Sequence, residues 1–310
     1  MEKIDYNYLD LLGRIATHSE DEIFESILKK YHSLKADICE SISNYFTRYP
    51  LWGELNPPKG IYETFRQRAH VLKTHLDDFL WLYVRLADAC SKNVLFAILS
   101  NWVDMNSDLL DLYTERKYPC YFDLEIFPKR QDEVFVDIGA YYGKSTISFI
   151  DSYGTDYKRI YCYEITQDAF MVMQQNLQPY SNIELFHKGA GAEKGILFLL
   201  ENEESISATR LTTSGNIAVE VVRIDEDISE PATFIKMDIE GMEQEALRGC
   251  EQQIRENHPR LAISTYHGHE DICAVPRLID DIDASYKFYM RYNGYKGFNL
   301  VPTEFVLLAV

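Results

Sequence analysis

The run Asp137-Ile138-Gly139-Ala140-Tyr141-Tyr142-Gly143-Lys144-Ser145-Thr146 carries the residue types of a ligand loop. Gly139 and Gly143 let backbone approach a ligand closely. Three ligand chemistries compete for it. A phosphate loop needs G-x-x-x-x-G-K-[ST], but here only three residues separate the glycines, and Asp137 puts a carboxylate where phosphate would lie. A nicotinamide dinucleotide wants G-x-G-x-x-G with pyrophosphate on a helix N-terminus, and the middle glycine is missing. The third ligand is S-adenosylmethionine, which has a sulfonium, an amino-acid head and an adenosine but no phosphate. Asp137 can face its ammonium group. Glu164 follows 27 residues later, at the end of the next strand, and can take both ribose hydroxyls. A turn with a solvated acid is the plain alternative.

Two further segments bear chemistry. Asp238-Ile239-Glu240-Gly241-Met242-Glu243 follows the apolar run Phe234 to Met237. Acids there suit a helix N-terminus, and helix capping alone would explain them. Asp238 can also meet the methionyl end or the acceptor, and Asp238 with Glu240 offers oxygen ligands for a divalent cation. Tyr266-His267-Gly268-His269-Glu270-Asp271 follows the next strand. A His at such a position acts as general base near neutral pH. A structural His, or a metal pair with His269, are the alternatives.

Elements of two kinds must position these residues. Residues 1–118 read as helical. Ser19 and Glu22 form a capping box before Ile23, Phe24 and Ile27. Asn56-Pro57-Pro58-Lys59-Gly60 breaks the chain. Phe65, Ala69, Leu72, Leu76, Phe79 and Tyr83 follow by fours and threes as a heptad-like seam, which serves bundle packing or a homodimer. From Glu133 onward, apolar runs alternate with helical patterns. Strands are expected near 134–136, 159–163, 182–186, 234–237, 261–265, 286–291 and 304–310, and helices over 144–150, 242–254 and 272–282. A hairpin suits 195–200 with 217–222. Such alternation makes an α/β fold with a doubly wound sheet, which binds ligands beyond the carboxyl ends of its strands.

The chain of 310 residues carries 31 basic and 49 acidic side chains, a formal net charge of −18. That argues against nucleic acid and anionic membrane as partners. None of the six cysteines forms a C-x-x-C pair, so zinc ribbons and dithiol redox motifs are excluded. No apolar run approaches the ~20 residues of a membrane span, and the first residues lack a secretory pattern. The expected location is the cytoplasm.

VFVDIGAYYGKST, YCYE, VVRID, FIKMDIEGMEQEALRG and STYHGHED, in this order, resemble the FkbM-type family of S-adenosylmethionine-dependent methyltransferases. LADACSKNVLFAIL with Tyr121-Phe122-Asp123 upstream, and YKFYMRY with EFVLLAV at the end, fit as well. The likeness covers roughly residues 80–310. Tyr141 and Thr166 depart from it, standing where the family often has Asn and Pro. The all-α domain over 1–118 is the helical pattern's own expectation, since the first ~75 residues lie outside the likeness. The resemblance implies a Rossmann-like sheet of seven strands, the last antiparallel, over residues 119–310. It implies cofactor contacts from Asp137, Gly139, Ala140, Tyr141, Gly143, Thr146, Glu164, Ile165 and Asp238. It also implies O-methylation of a sugar, glycan or secondary-metabolite hydroxyl; position at the strand ends, rather than the likeness, suggests His267 and Asp238 at the reaction, and the helical part is expected to shape the acceptor pocket. A protein that binds the cofactor without turnover, or an ATP-binding enzyme, would be the alternatives.

Overall fold

The computed structural model describes residues 3–200, 210–213, 215–294 and 301–310. They fall into two compact units interleaved along the chain. One takes Met1–Arg116, Thr265–Ala274 and Lys287–Phe305; the other takes Lys117–Ser264, Val275–Tyr286 and Val306–Val310.

The first unit is built mainly on helices α1 (Lys3–Thr17), α2 (Glu20–Ser33), α3 (Ala36–Arg48), α4 (Glu63–Thr74), α5 (Leu76–Arg85), α6 (Ala89–Asp104) and α7 (Asp108–Tyr113). The capping box opens α2: the Glu22 amide donates to Ser19 Oγ, and the Ser19 amide donates to Glu22 Oε2. The seam expected as one stripe is split between α4 and α5 at His75, with Phe65, Ala69, Leu72, Phe79 and Tyr83 still buried. Tyr8 of α1 stacks on Tyr83 at 4.0 Å and donates to the Phe79 carbonyl at 3.0 Å, so the seam packs within the bundle. The break at 56–60 is a hairpin of β1 (Leu55–Asn56) and β2 (Ile61–Tyr62), outside the main sheet.

The remaining strands are β3 (Glu133–Ile138), β4 (Tyr157–Tyr163), β5 (Ile183–Phe186), β6 (Gly189–Ala190), β7 (Gly195–Leu200), β8 (Arg210–Thr212), β9 (Ile217–Val222), β10 (Phe234–Met237), β11 (Arg260–Ser264), β12 (Phe288–Tyr292) and β13 (Phe305–Ala309). Seven of them form a sheet in the order β12-β13-β11-β10-β3-β4-β5. β3 is parallel to β4 and β10, β4 to β5, and β10 to β11, while β13 runs antiparallel to β11. The chain therefore winds outward in both directions from β3, and the switch point lies between β3 and β10. Every residue of β3 is buried, as a central parallel strand requires. β6, β9, β7 and β8 make a second, four-stranded sheet that contains the expected antiparallel pair β7–β9.

Helices α8 (Lys144–Tyr153), α9 (Gln167–Leu177), α10 (Ile224–Asp227) and α13 (Asp271–Ile282) follow strands. The helix expected over 242–254 is two, α11 (Glu243–Arg248) and α12 (Glu251–Asn257). A Cβ on Gly249 would lie 2.1 Å from the Gly191 carbonyl oxygen, so the chain is pressed against a neighbouring loop there. The Asp225 carboxylate then accepts from the amides of Gln252 and Gln253, which opens α12 as a fresh helix.

Below the sheet, away from its ligand edge, Phe122, Phe135, Phe149, Tyr153 and Phe234 pack as one aromatic cluster. Arg260 lies over the Phe234 ring and pairs with Glu133, both side chains buried. This pair joins the first residues of β3 and β11 across β10.

Candidate active site

A cleft lies at the carboxyl ends of the parallel strands, where open α/β sheets bind their ligands. Its wall takes Ile138 and Gly139 from the end of β3, Glu164 and Ile165 after β4, Lys188 and Gly189 after β5, and Asp238 and Glu240 after β10. Tyr141, Thr166, Ala190, Leu211 and Met242 also line it. Of the residues expected to hold the cofactor, Gly139, Tyr141, Glu164, Ile165 and Asp238 reach the cleft.

Asp137 does not. It is fully buried, and a buried carboxylate must find partners inside the protein. Its Oδ2 accepts from Ser145 Oγ at 2.6 Å and Thr146 Oγ1 at 2.7 Å. Its Oδ1 lies 3.1 Å from the Lys236 ammonium. Asp137, expected to face the cofactor's ammonium, thus has its carboxylate among protein partners here and off the cleft wall. Its carboxylate ties the start of α8 to β10 and fixes the loop from below. Thr146 is also buried in this contact and does not line the cleft. Nor do Ala140, whose amide donates to the Tyr163 carbonyl at 2.9 Å, and Gly143, which opens α8.

The loop is pinned from two sides. Gly139 has φ +80°, and a Cβ there would lie 1.9 Å from the Asp238 carbonyl oxygen. Only glycine allows the β3 and β10 loops to touch in this way. Lys236 donates to the Gly139 carbonyl at 2.7 Å. Burial opposes its charge, yet Asp137 and Asp238 outweigh burial and hold the Lys236 pKa above the ordinary value. Tyr141 adopts a left-handed φ of +51°, and its amide donates to Glu164 Oε2 at 2.9 Å.

Glu164 is 7% exposed. Its Oε1 accepts from the Thr166 amide and hydroxyl, both at 2.8 Å. Three of roughly four acceptor positions are taken, and the one left is on Oε2. A proline at 166 would supply neither of those donors, so the departure at Thr166 adds two bonds that orient the acid. No signal short of the structure separates this from a helix-capping threonine.

On the other wall, Tyr121 has φ +73°. Its hydroxyl donates to Asp238 Oδ2 at 2.9 Å and lies 3.2 Å from Ser264 Oγ. Tyr121 thus links the ends of β10 and β11. The tight turn after Asp238 is held by Glu243, which accepts from the amides of Ile239 and Gly241. Glu240 sits in that turn at φ +56°. His267 belongs to the first unit, three residues beyond Ser264. It is buried, with its ring 4.3 Å from that of Tyr266. Lys188 is the cation among the described residues of the cleft wall, and it pairs with Asp227 at 2.8 Å.

Residues 137–296 match the family described as the methyltransferase FkbM domain. The structure of methyltransferase FkbM from Methylobacillus flagellatus KT is similar at 26% identity and a TM-score of 0.64, over 79% of this chain. This chain spans 62% of that protein's length. An rRNA methylase from Streptococcus thermophilus is similar at 19% identity and a TM-score of 0.38, over 58% of this chain and 87% of that one. A comparison with curated proteins returns no match. With more than half of its residues inside the family match, and with its loops meeting at one ligand edge, this chain belongs to the FkbM methyltransferase family.

Proposed function

We propose that this protein binds S-adenosylmethionine in the cleft and transfers its methyl group to a hydroxyl of a sugar, glycan or secondary-metabolite acceptor. The observation that carries this reading is Glu164. It is a nearly buried carboxylate held by three protein donors, with an acceptor position left beside the cleft. Such a group suits a ribose hydroxyl and repels phosphate. The rest of the donor set agrees. Asp238 supplies negative charge for an ammonium group, and Ile138, Ile165, Ala190, Leu211 and Met242 give apolar wall for a base. The cation on the wall, Lys188, is already paired with Asp227, which disfavours ATP.

The bound cofactor would supply a methyl group already activated by the positive sulfur. The protein's share is then orientation and removal of one proton. Asp238, steadied by Tyr121, orients the amino-acid end or the acceptor hydroxyl. His267 takes the acceptor's proton. The net charge of −18 supports an acceptor other than nucleic acid. Calorimetry on the whole protein tests the reading: S-adenosylmethionine should bind and ATP should not. Tight binding of ATP alone would overturn it. A methyl-transfer screen over sugars, glycan precursors and hydroxylated metabolites identifies the acceptor class.

A further inference from the structure

Within the first unit, three side chains of metal-binding type converge from two places far apart in the sequence. His75 stands between α4 and α5, at φ −107° and ψ +25°. Asp78 lies in the first turn of α5, and its Oδ2 is 2.9 Å from His75 Nδ1. Both side chains are half-buried. Cys273 comes from the first turn of α13 and is 1% exposed. Its thiol donates to the Glu270 carbonyl at 3.3 Å. One ligand atom from each of His75, Asp78 and Cys273 can be taken so that all three lie within 4.8 Å of one another.

The charges that act on this thiol are negative. Burial first, and then the carboxylates of Asp78, Glu270 and Asp271, push its pKa up to about 12. A buried cysteine that packs as a small hydrophobe has no use for such neighbours, whereas a bound cation would offset them. In the pair beside it, a carboxylate only accepts, so His75 Nδ1 donates to Asp78. The imidazole and carboxylate form a half-exposed rim over the buried sulfur, which gives an ion a way in.

We propose that His75, Asp78 and Cys273 form a binding site for one divalent transition-metal ion of the zinc type, with water in the fourth place. A thiolate, an imidazole and a carboxylate are donors that zinc takes, at bonds of ~2.0–2.3 Å. Tetrahedral bonds of that length set ligand atoms ~3.3–3.7 Å apart, so each of the three need move less than about 1 Å. Magnesium and calcium ask for oxygen ligands and do not suit this set. The imidazole binds in its neutral form, and the thiol proton leaves to solvent. The ion fastens the α4–α5 junction to the start of α13. The unfolded chain holds no such set, so binding stabilises the fold. The site is independent of the methyl-transfer reading.

The test titrates the full chain, reduced and stripped of metal by a chelator, with cobalt chloride and then zinc chloride. A cobalt–thiolate bond gives a charge-transfer absorption in the near ultraviolet. That absorption should saturate at one ion per protein, vanish when zinc is added and persist in excess magnesium. Zinc should raise the thermal midpoint by mass action. Cys273→Ser should lose the absorption, and His75→Gln should weaken cobalt binding by more than about tenfold. Cys90→Ser, at an exposed thiol, should change neither. A cation on Asp238 and Glu240 has no sulfur ligand and would give no such absorption. Failure to absorb at one equivalent, or absorption that survives in Cys273→Ser, would overturn the proposal. A zinc response equal in the wild type and both site variants would reduce the effect to loose surface binding and overturn it too. If Cys273→Ser does not fold, His75→Gln, a change at a half-buried side chain, decides: undiminished cobalt affinity there sinks the site.

Discussion

Glu164 and Lys236 do different work at the same edge, and two substitutions separate them. Glu164 faces the cleft, so Glu164→Ala should weaken S-adenosylmethionine. Losing a hydrogen bond to a charged group costs ~1.5–3 kcal/mol, or about 10–100-fold in affinity. Calorimetry with an unchanged affinity would remove Glu164 from the site. Lys236 instead balances Asp137, which is buried without exposure. Lys236→Met should cost ~3–5 kcal/mol, the usual result of stranding one member of a buried pair. Pairing it with Asp137→Asn should recover much of that loss in a denaturant cycle. The folded pKa of Lys236 is raised from 10.5. Its contribution is therefore fully present below the unfolded value and is lost only as pH rises through the folded one. The deficit of Lys236→Met should stay constant across neutral pH. Both acids end strands in the sequence, yet Glu164 lines the cleft and Asp137 lies inside the protein, for a physical reason. An acid that ends a strand before a glycine loop looks alike whether it turns toward ligand or inward. What turns Asp137 inward is Ser145 and Thr146 in the first turn of α8, eight and nine residues on, and a lysine on the neighbouring strand, a pairing visible only once β3 and β10 lie in register.

Elements were legible where one residue pattern met one environment. β3, β4, β10 and β11 stand within a few residues of the apolar runs that announced them, because central parallel strands are buried on both faces and read as continuous hydrophobic segments; β5, at the sheet edge, is only partly buried. The failures share another cause. The stripe over 65–83 and the helix over 242–254 kept helical periodicity across a break. Periodicity reports which face is buried, not whether the backbone is continuous, and the break at Gly249 comes from the close Gly191 carbonyl and the new cap that Asp225 supplies. The same limit applies to Gly139. Its need to be glycine arises from the Asp238 carbonyl 1.9 Å from where a Cβ would sit, which no local pattern encodes. Gly139→Ala adds a left-handed strain of ~1–2 kcal/mol to a clash between two backbones that cannot rotate away. Thermal melting should show clear destabilisation, and cofactor affinity should fall with it as the β3 and β10 loops part. A variant that melts and binds like the wild type would show that the loops give way freely.

For the whole molecule, the open question is where the acceptor's proton goes. The order β11-β10-β3 carries Asp238 and Ser264 to the ends of adjacent parallel strands, joined through the Tyr121 hydroxyl, and the chain reaches His267 three residues after Ser264. On this place in the chain alone we propose His267 as the base, imidazole being the side chain that most often serves as one. The competing arrangement is a divalent cation on Asp238 and Glu240 that binds the acceptor oxygen. The two make opposite demands. With a His base, His267→Ala should lower turnover by roughly two to four orders of magnitude. Cofactor affinity should barely change, and a chelator should have no effect. With a cation, a chelator should abolish turnover and added magnesium should restore it. A chain with 49 acidic side chains collects divalent cations loosely over its surface, so restoration must saturate near one ion per protein to count. Near-normal turnover of His267→Ala together with indifference to chelation would defeat both assignments. Orientation of the acceptor, with loss of its proton to solvent, would then have to suffice, and removing the Tyr121 hydroxyl that steadies Asp238 should become the more damaging change.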